Sequence, residues 1–481
     1  INEALEWISR FPDNKKYPKE EVDRLSAINL KLMPDEPKYK HRFLFNPDIY
    51  SLLYSPGTSD SDASLTPQID ALKEIYSSGG ISDILEFAES TFVPESVGYL
   101  FGKSAGTEDD TSLLPKYLTS PDEWKQKFII GYCRGRFNKS TWEFVDSLSI
   151  TSWTTEEMSV FFFSLPRMNK TWEYVSTIMG EEEKIYWEHM WPYLPKEENN
   201  WEYVLDKFLL FNLPLKAIAC ISSLLFDNQK VEAEPIISSL KLLLADKKMH
   251  PQIESYDITQ IMKYLAESKD ADKEEVWKLE VAYFAVMDVH GRLHTTIFER
   301  KLAESPEFFC DMLQLIHKSD LSMDVLNNIS SMFQHWRVIP GTRDDGTFDG
   351  GAFLDWYHSA IKLCQKQDLD NAAFIQIGRI MIYAPEDPDG FWIHRTVANL
   401  LNEDENESLR LHFRIGIKNN GGAHISDGEW GEQRAKDSRE KADALDNAGY
   451  PIFAELMREI SESYIQDKKR LEMEIRRFES F

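Results

Sequence analysis

Aspartate and histidine spaced for metal chemistry occur once in the sequence, at Asp288-Val289-His290-Gly291, with His294 four residues beyond His290. A carboxylate and an imidazole at such close spacing are a common start of a metal-assisted hydrolytic site, where the ion lowers the pKa of a bound water. On a helix, His290 and His294 share one face and suit zinc, with Glu299 as a third ligand. Gly291 lies between the two histidines, and no HExxH glutamate precedes the second. The competing reading is a turn between paired helices, with Gly291 permitting the reversal.

The Asp-x-His-Gly phrase is similar to the opening metal box of metallophosphoesterases. That chemistry also needs GDxxDR-type and GNH[DE]-type motifs, and neither occurs. Asp344, Asp345 and Asp349 superficially suit calcium, but the DxDxDG spacing and the glutamate at the twelfth loop position are missing. Asp-Gly turns explain them more simply. Gly421-Gly422 is not a phosphate loop, since GxxxxGK[ST] is absent, and so is the GxSxG elbow. The residues supply no complete catalytic constellation. The expectation is a protein without enzymatic activity and without a cofactor, and a metal-dependent hydrolase around Asp288, His290 and His294 is the alternative.

The elements that would position any site are organised by a recurring phrase. Trp142-Glu143-Phe144-Val145 returns as Trp172-Glu173-Tyr174-Val175 and as Trp201-Glu202-Tyr203-Val204, at spacings of 30 and 29 residues. A fixed period marks stacked supersecondary units, each too small to bury its apolar face alone. Each unit has room for two short helices. Thr154 and Glu157 form a capping box opening one second helix. Pro166, Pro195 and Pro214 punctuate the units at similar phases. Aromatic stripes of this kind are usually core. The glutamate after each Trp lies on an adjacent helix face. Equivalent positions of a stacked array fall in a row, so Trp142, Glu143, Trp172, Glu173, Trp201 and Glu202 are the candidate binding residues.

The hairpin plan resembles the α-solenoids of the TPR and HEAT class over roughly residues 116–330. The W-x2-LG-x2-Y and A-x3-F phrases of TPR are absent, and the period is shorter than 34. The resemblance implies an all-α chain, a right-handed α-solenoid of helical hairpins with an α-helical C-terminal domain or cap. The layout is also similar to helical-repeat recognition regions of large bacterial multidomain proteins.

Around the array, residues 1–115 read as an N-terminal helical region with a flexible loop near 55–66, and residues 331–481 as a mostly helical C-terminal domain. Gly98 to Pro115 reads as irregular, and Arg414 to Gly431 as room for a short hairpin. Asp-Gly turns fall at 345–346, 389–390 and 427–428.

Composition bounds the partners. The formal charge is −27. Such a polyanion repels phosphate backbones, so direct nucleic-acid binding is not expected. The charge chiefly serves solubility; a protein partner is expected, for which a basic surface would be suited, and the alternative is a nucleic-acid mimic in a partner's basic groove. No apolar run approaches the ~18 residues that span a bilayer. Cys133, Cys220, Cys310 and Cys364 lie far apart without a CxxC, which fits a reducing, cytoplasmic setting. The chain opens at Ile1 without a basic-then-apolar leader, as expected of a processed product or a segment of a longer protein. Partner identity and oligomeric state are not legible.

Overall fold

The computed structural model describes residues 18–45, 65–192, 200–246, 255–287, 296–318, 320–420 and 428–479, with positions 5 and 8 besides. The described residues are all-helical and contain no strand, only one isolated antiparallel bridge between Thr342 and Phe348. None of the described helices is long and apolar enough to cross a membrane. The chain divides into two compact units, residues 1–220 and 221–481. Residue 115 falls inside the first and 330 inside the second. Of the loop expected near 55–66, residues 55–64 lie outside the described residues.

In the first unit, α1 (Lys19–Leu32) stops before Pro34, and none of its residues is buried. A short α2 (Pro37–Lys40) is tied to α3 (Thr66–Ser90) by Lys38–Glu86 and Lys40–Glu74 ion pairs, each at 2.9 Å. α3 breaks at Gly79-Gly80, where Gly80 adopts φ +66°, a conformation that costs glycine nothing. Then follow α4 (Pro94–Ser104), α5 (Thr107–Leu113) and α6 (Glu123–Asp146).

The stretch from Gly98, expected to be irregular, is largely helical. Gly98 and Gly102 of α4 face Gly131 and Gly135 of α6, and the two backbones touch. A β-carbon built at Gly131 would overlap the Glu95 carbonyl oxygen, and one at Gly98 would overlap that of Phe128. A β-carbon at Gly102 would lie 3.1 Å from the Gly135 Cα. Glycine lowers intrinsic helix propensity, but here packing between helices overrides it. Small residues four apart on both helices permit this approach.

Beyond this pair come α7 (Thr155–Ser164), α8 (Asn169–Met179), α9 (Lys184–His189), α10 (Trp201–Leu210) and α11 (Pro214–Phe226), which carries the division between the units. The α7 capping box forms as the sequence predicts: Glu157 N–H donates to Thr154 Oγ1 at 3.3 Å, and Thr154 N–H to Glu157 Oε2 at 2.8 Å.

The second unit continues through α12 (Ala233–Ala245), α13 (Ser255–Glu267), α14 (Lys273–Met287), α15 (Thr296–Glu304), α16 (Pro306–Lys318) and α17 (Met323–His335). After it come α18 (Gly350–Gln365), α19 (Asp370–Ile380), α20 (Arg395–Asn402), α21 (Glu407–Asn420), α22 (Gly428–Asn447) and α23 (Pro451–Glu479). One apolar core runs from Val281 on α14 to Tyr464 on α23. The hairpin expected within Arg414–Gly431 does not form at its start: residues 414–420 complete α21. Phe413 and Gly416 are buried on that helix, and helical spacing puts them on the core face. Residues 421–427, with Gly421, Gly422 and Asp427, lie outside the described residues.

Candidate functional site

The recurring phrase places its valine and its glutamate the same way in each copy. Val145, Val175 and Val204 are buried, at 1%, 0% and 0% exposure, and anchor the phrase in the core. One position in four cannot share that face on a 3.6-residue helix, and Glu143, Glu173 and Glu202 are all exposed. Trp172 is buried, whereas Trp142 and Trp201 are half-buried.

The tryptophans form the seam between units. Trp142 stacks on Tyr174 of the next unit, with ring centroids 5.1 Å apart and planes 10° from parallel. Trp172 stacks on Tyr203 in the same way, at 6.0 Å and 22°. Each tyrosine hydroxyl then reaches back to the residue four beyond the stacking tryptophan. Tyr174 donates to Asp146, and the Tyr203 hydroxyl meets Ser176 Oγ at 3.1 Å. The hydrogen bond to Asp146, with burial behind it, pushes the Tyr174 phenol up to about 12. Position 205, the corresponding acceptor after Trp201, is leucine, so the polar part of the seam stops there. Lys170 lies 4.7 Å above the Trp142 ring, a cation–π contact at the seam's rim.

Trp142 owes its position to a break in α6 at Thr141, with φ +48° and ψ −130°. A β-branched residue is strained there. The break turns the phrase away from the axis of the glycine-seamed part of the helix. Arg136, upstream of the break, sits 5.0 Å over the Phe144 ring downstream of it. Its guanidinium also forms a two-pronged pair with the buried Asp110, at 2.8 and 2.7 Å, and Tyr132 donates to the same carboxylate at 2.7 Å. A second polar cluster lies under the array: Glu183 accepts from Lys207 at 2.6 Å, from Ser176 at 2.8 Å and from the Trp187 indole at 3.3 Å.

Asp288, His290 and His294 lie outside the described residues. Glu299, the third candidate ligand, is described and is buried at 2% exposure. It accepts the Arg337 backbone N–H at 2.7 Å, and burial pushes its pKa up to about 7. Glu280 does similar work nearby, accepting from Ile297 N–H at 3.2 Å and Phe298 N–H at 2.7 Å at the start of α15. Burial raises it also to about 7. Both carboxylates secure backbone donors that have no intrahelical partner. Asp349 is an N-cap, accepting from Gly351 and Ala352 N–H at 2.9 and 3.0 Å. Asp345 closes its own Asp-Gly turn through Thr347. Asp344 reaches Arg300 at 3.5 Å. Among the described residues no group of His, Cys, Asp and Glu is placed to hold a metal ion.

The glycine seam, the Asp110–Arg136–Tyr132 network and the two buried glutamates escape a reading along the chain. The signal for the first was present as paired Gly-x3-Gly phrases at 98–102 and 131–135. The chain matches no protein-family model, no curated protein and no solved structure.

Proposed function

We propose that this chain is a non-enzymatic recognition or scaffold region built on helical repeats. In this reading the three units stack as hairpins of a right-handed α-solenoid of the TPR and HEAT kind, within a larger cytoplasmic, bacterial assembly. The observation that carries it is the repeated seam. Three copies of one phrase are joined by the same tryptophan–tyrosine contact, and each copy leaves one glutamate in solvent. A regular seam presents Glu143, Glu173 and Glu202 at a regular interval, which suits a basic partner protein of extended form. The tryptophans act as the spacer that sets the interval. Four buried cysteines, none of them in a disulfide, support a reducing compartment.

The test is the triple variant E143K/E173K/E202K as bait beside the unaltered chain, in lysate of the source cell at low and high salt. These side chains are exposed, so the variant keeps its helical circular dichroism and unfolding midpoint. The reading expects a partner that the unaltered chain captures and the variant loses. Capture of the same partner by both baits, with equal strength at both salts, overturns the assignment of the glutamates.

A further inference from the structure

The chain carries 81 acidic against 54 basic side chains, so carboxylates outnumber cations overall. One cavity of the second unit is an exception. It encloses about 270 Å³ where the C-terminal ends of α17, α19 and α21 approach one another. Its polar lining includes His335, Arg337, Gln376, Arg379, Tyr383 and Asn419, and no Asp or Glu lines it among the described residues.

Local packing explains how Arg379 comes to be there. α19 and α21 touch through two glycines. A β-carbon at Gly378 would lie 2.7 Å from the Leu409 carbonyl oxygen, and one at Gly416 would lie 3.3 Å from the Arg379 Cα. The Arg379 backbone is therefore held against α21, and its side chain is half-buried. Among the described residues Arg379 has no ion-pair partner and no hydrogen bond. Burial pulls its pKa down, opposed by Tyr383. Burial, followed by the Arg379 charge, also lowers His412 on α21. Arg337 adds a second guanidinium at the cavity, 5.8 Å from the Tyr383 ring centre.

Helix C-termini carry partial negative charge, which accounts for cations collecting at these ends. It does not satisfy Arg379. A guanidinium presents five donors in a planar fork whose natural complement is a carboxylate or phosphate. Withdrawn partly from water with that fork unmatched, it is a receptor for such a group. The volume falls just below the ~300–1,000 Å³ of sites for drug-sized ligands, so a small metabolite fits.

We propose that this cavity binds a small organic oxyanion, a carboxylate or phosphate compound, with Arg379 as its main partner, Arg337 as the second cation, and the Gln376 and Asn419 amides completing the shell. The site is independent of the glutamate row of the first unit. Either assignment can fail without the other.

The experiment titrates inorganic phosphate and, separately, acetate into the whole chain at constant ionic strength held with chloride, reading the thermal midpoint and the heat of binding. At least one anion raises the midpoint saturably, as preferential binding to the folded state requires. Arg379→Gln weakens the apparent Kd at least about tenfold, as expected for loss of a charged, forked donor. Lys263→Gln, on α13 and away from the cavity, leaves it unchanged. Should Arg379→Gln fail to fold, Asn419→Asp at the exposed rim places a negative charge beside the fork and has the same effect on binding. A response to phosphate alone assigns a phosphate compound, to acetate alone a carboxylate, and to both an oxyanion selected by charge. No saturable response to either anion overturns the proposal, as does an equal response in the Arg379→Gln and Asn419→Asp variants.

Discussion

The first unit joins its helices in two opposite ways. At the α4–α6 seam, side chains are removed: four glycines bring backbone against backbone, with the buried Asp110–Arg136 ion pair nearby. Across the repeat array, side chains are enlarged: a tryptophan from one unit lies flat on a tyrosine from the next. The first joint has no side chain that can rotate out of the way, so it tolerates no added atom. The second is built of rings at a half-exposed rim and a buried centre, so its cost is graded by burial. A close glycine seam makes a rigid pair of fixed geometry, whereas stacked aromatics make a repeatable spacer.

The largest effect that would break this contrast is at Gly131. Helix propensity alone favours alanine over glycine by about 1 kcal/mol. We expect Gly131→Ala to destabilise instead, by about 4 kcal/mol or more, because its β-carbon meets a backbone carbonyl that no rotamer change relieves. Denaturant unfolding of the variant decides the sign, and a gain in stability would remove the seam from the account. Next is Arg136→Met, which strands the Asp110 carboxylate at 3% side-chain exposure. Loss of one partner of a buried pair costs about 3–5 kcal/mol. Arg136→Met with Asp110→Leu should recover most of that loss, since an apolar replacement of both partners removes the stranded charge.

The contrast sharpens against the second unit, where Glu280 is buried with backbone donors and, among the described residues, no ion-pair partner. Its folded pKa of about 7 lies above the ordinary 4.5, chiefly through burial. The associated stability is present in full below pH 4.5 and is lost as pH rises through about 7, because the unfolded chain releases the proton first. The shift corresponds to about 3 kcal/mol. Glu299 behaves alike. Urea unfolding from pH 4.5 to 8 should therefore show falling stability, and Glu280→Gln should remove about half of the slope. An unchanged slope would mean that Glu280 ionises in the fold at its ordinary pKa. The smallest effect is the stacking itself. A double-mutant cycle on Trp142 and Tyr174, each replaced by leucine, should give a coupling of about 1 kcal/mol. The same cycle on Trp172 and Tyr203 should give more, because Trp172 is buried at 1% exposure. Equal couplings would show that burial does not grade the joint.

Much of the local structure was legible along the chain. The Thr154–Glu157 capping box and the break at Gly79-Gly80 follow from residue types that act within four positions of themselves. The Asp345-Gly346 turn follows in the same way. The two misreadings share one cause. Gly98–Gly102 looked like loop, and Arg414–Gly431 looked like hairpin, because glycine weakens a helix considered alone. In both places the glycine faces a second helix, and the close packing of the two backbones outweighs the lost propensity.

The candidate site divides along the same line. By itself the sequence determined that this is a helical chain of strongly acidic charge with one phrase in three copies, since period, capping and charge are properties of neighbouring residues. It also determined that each Glu must leave the face its Val occupies, because 3.6 residues per turn allows nothing else. Only the tertiary structure decided that Trp142 and Trp172 pack on the Tyr of the following unit, that Asp110 neutralises Arg136, and that Arg379 faces a cavity without a carboxylate among the described residues. Those outcomes depend on which helices come within reach of one another. That is set by burial and close packing summed over the whole core, and no local signal encodes it.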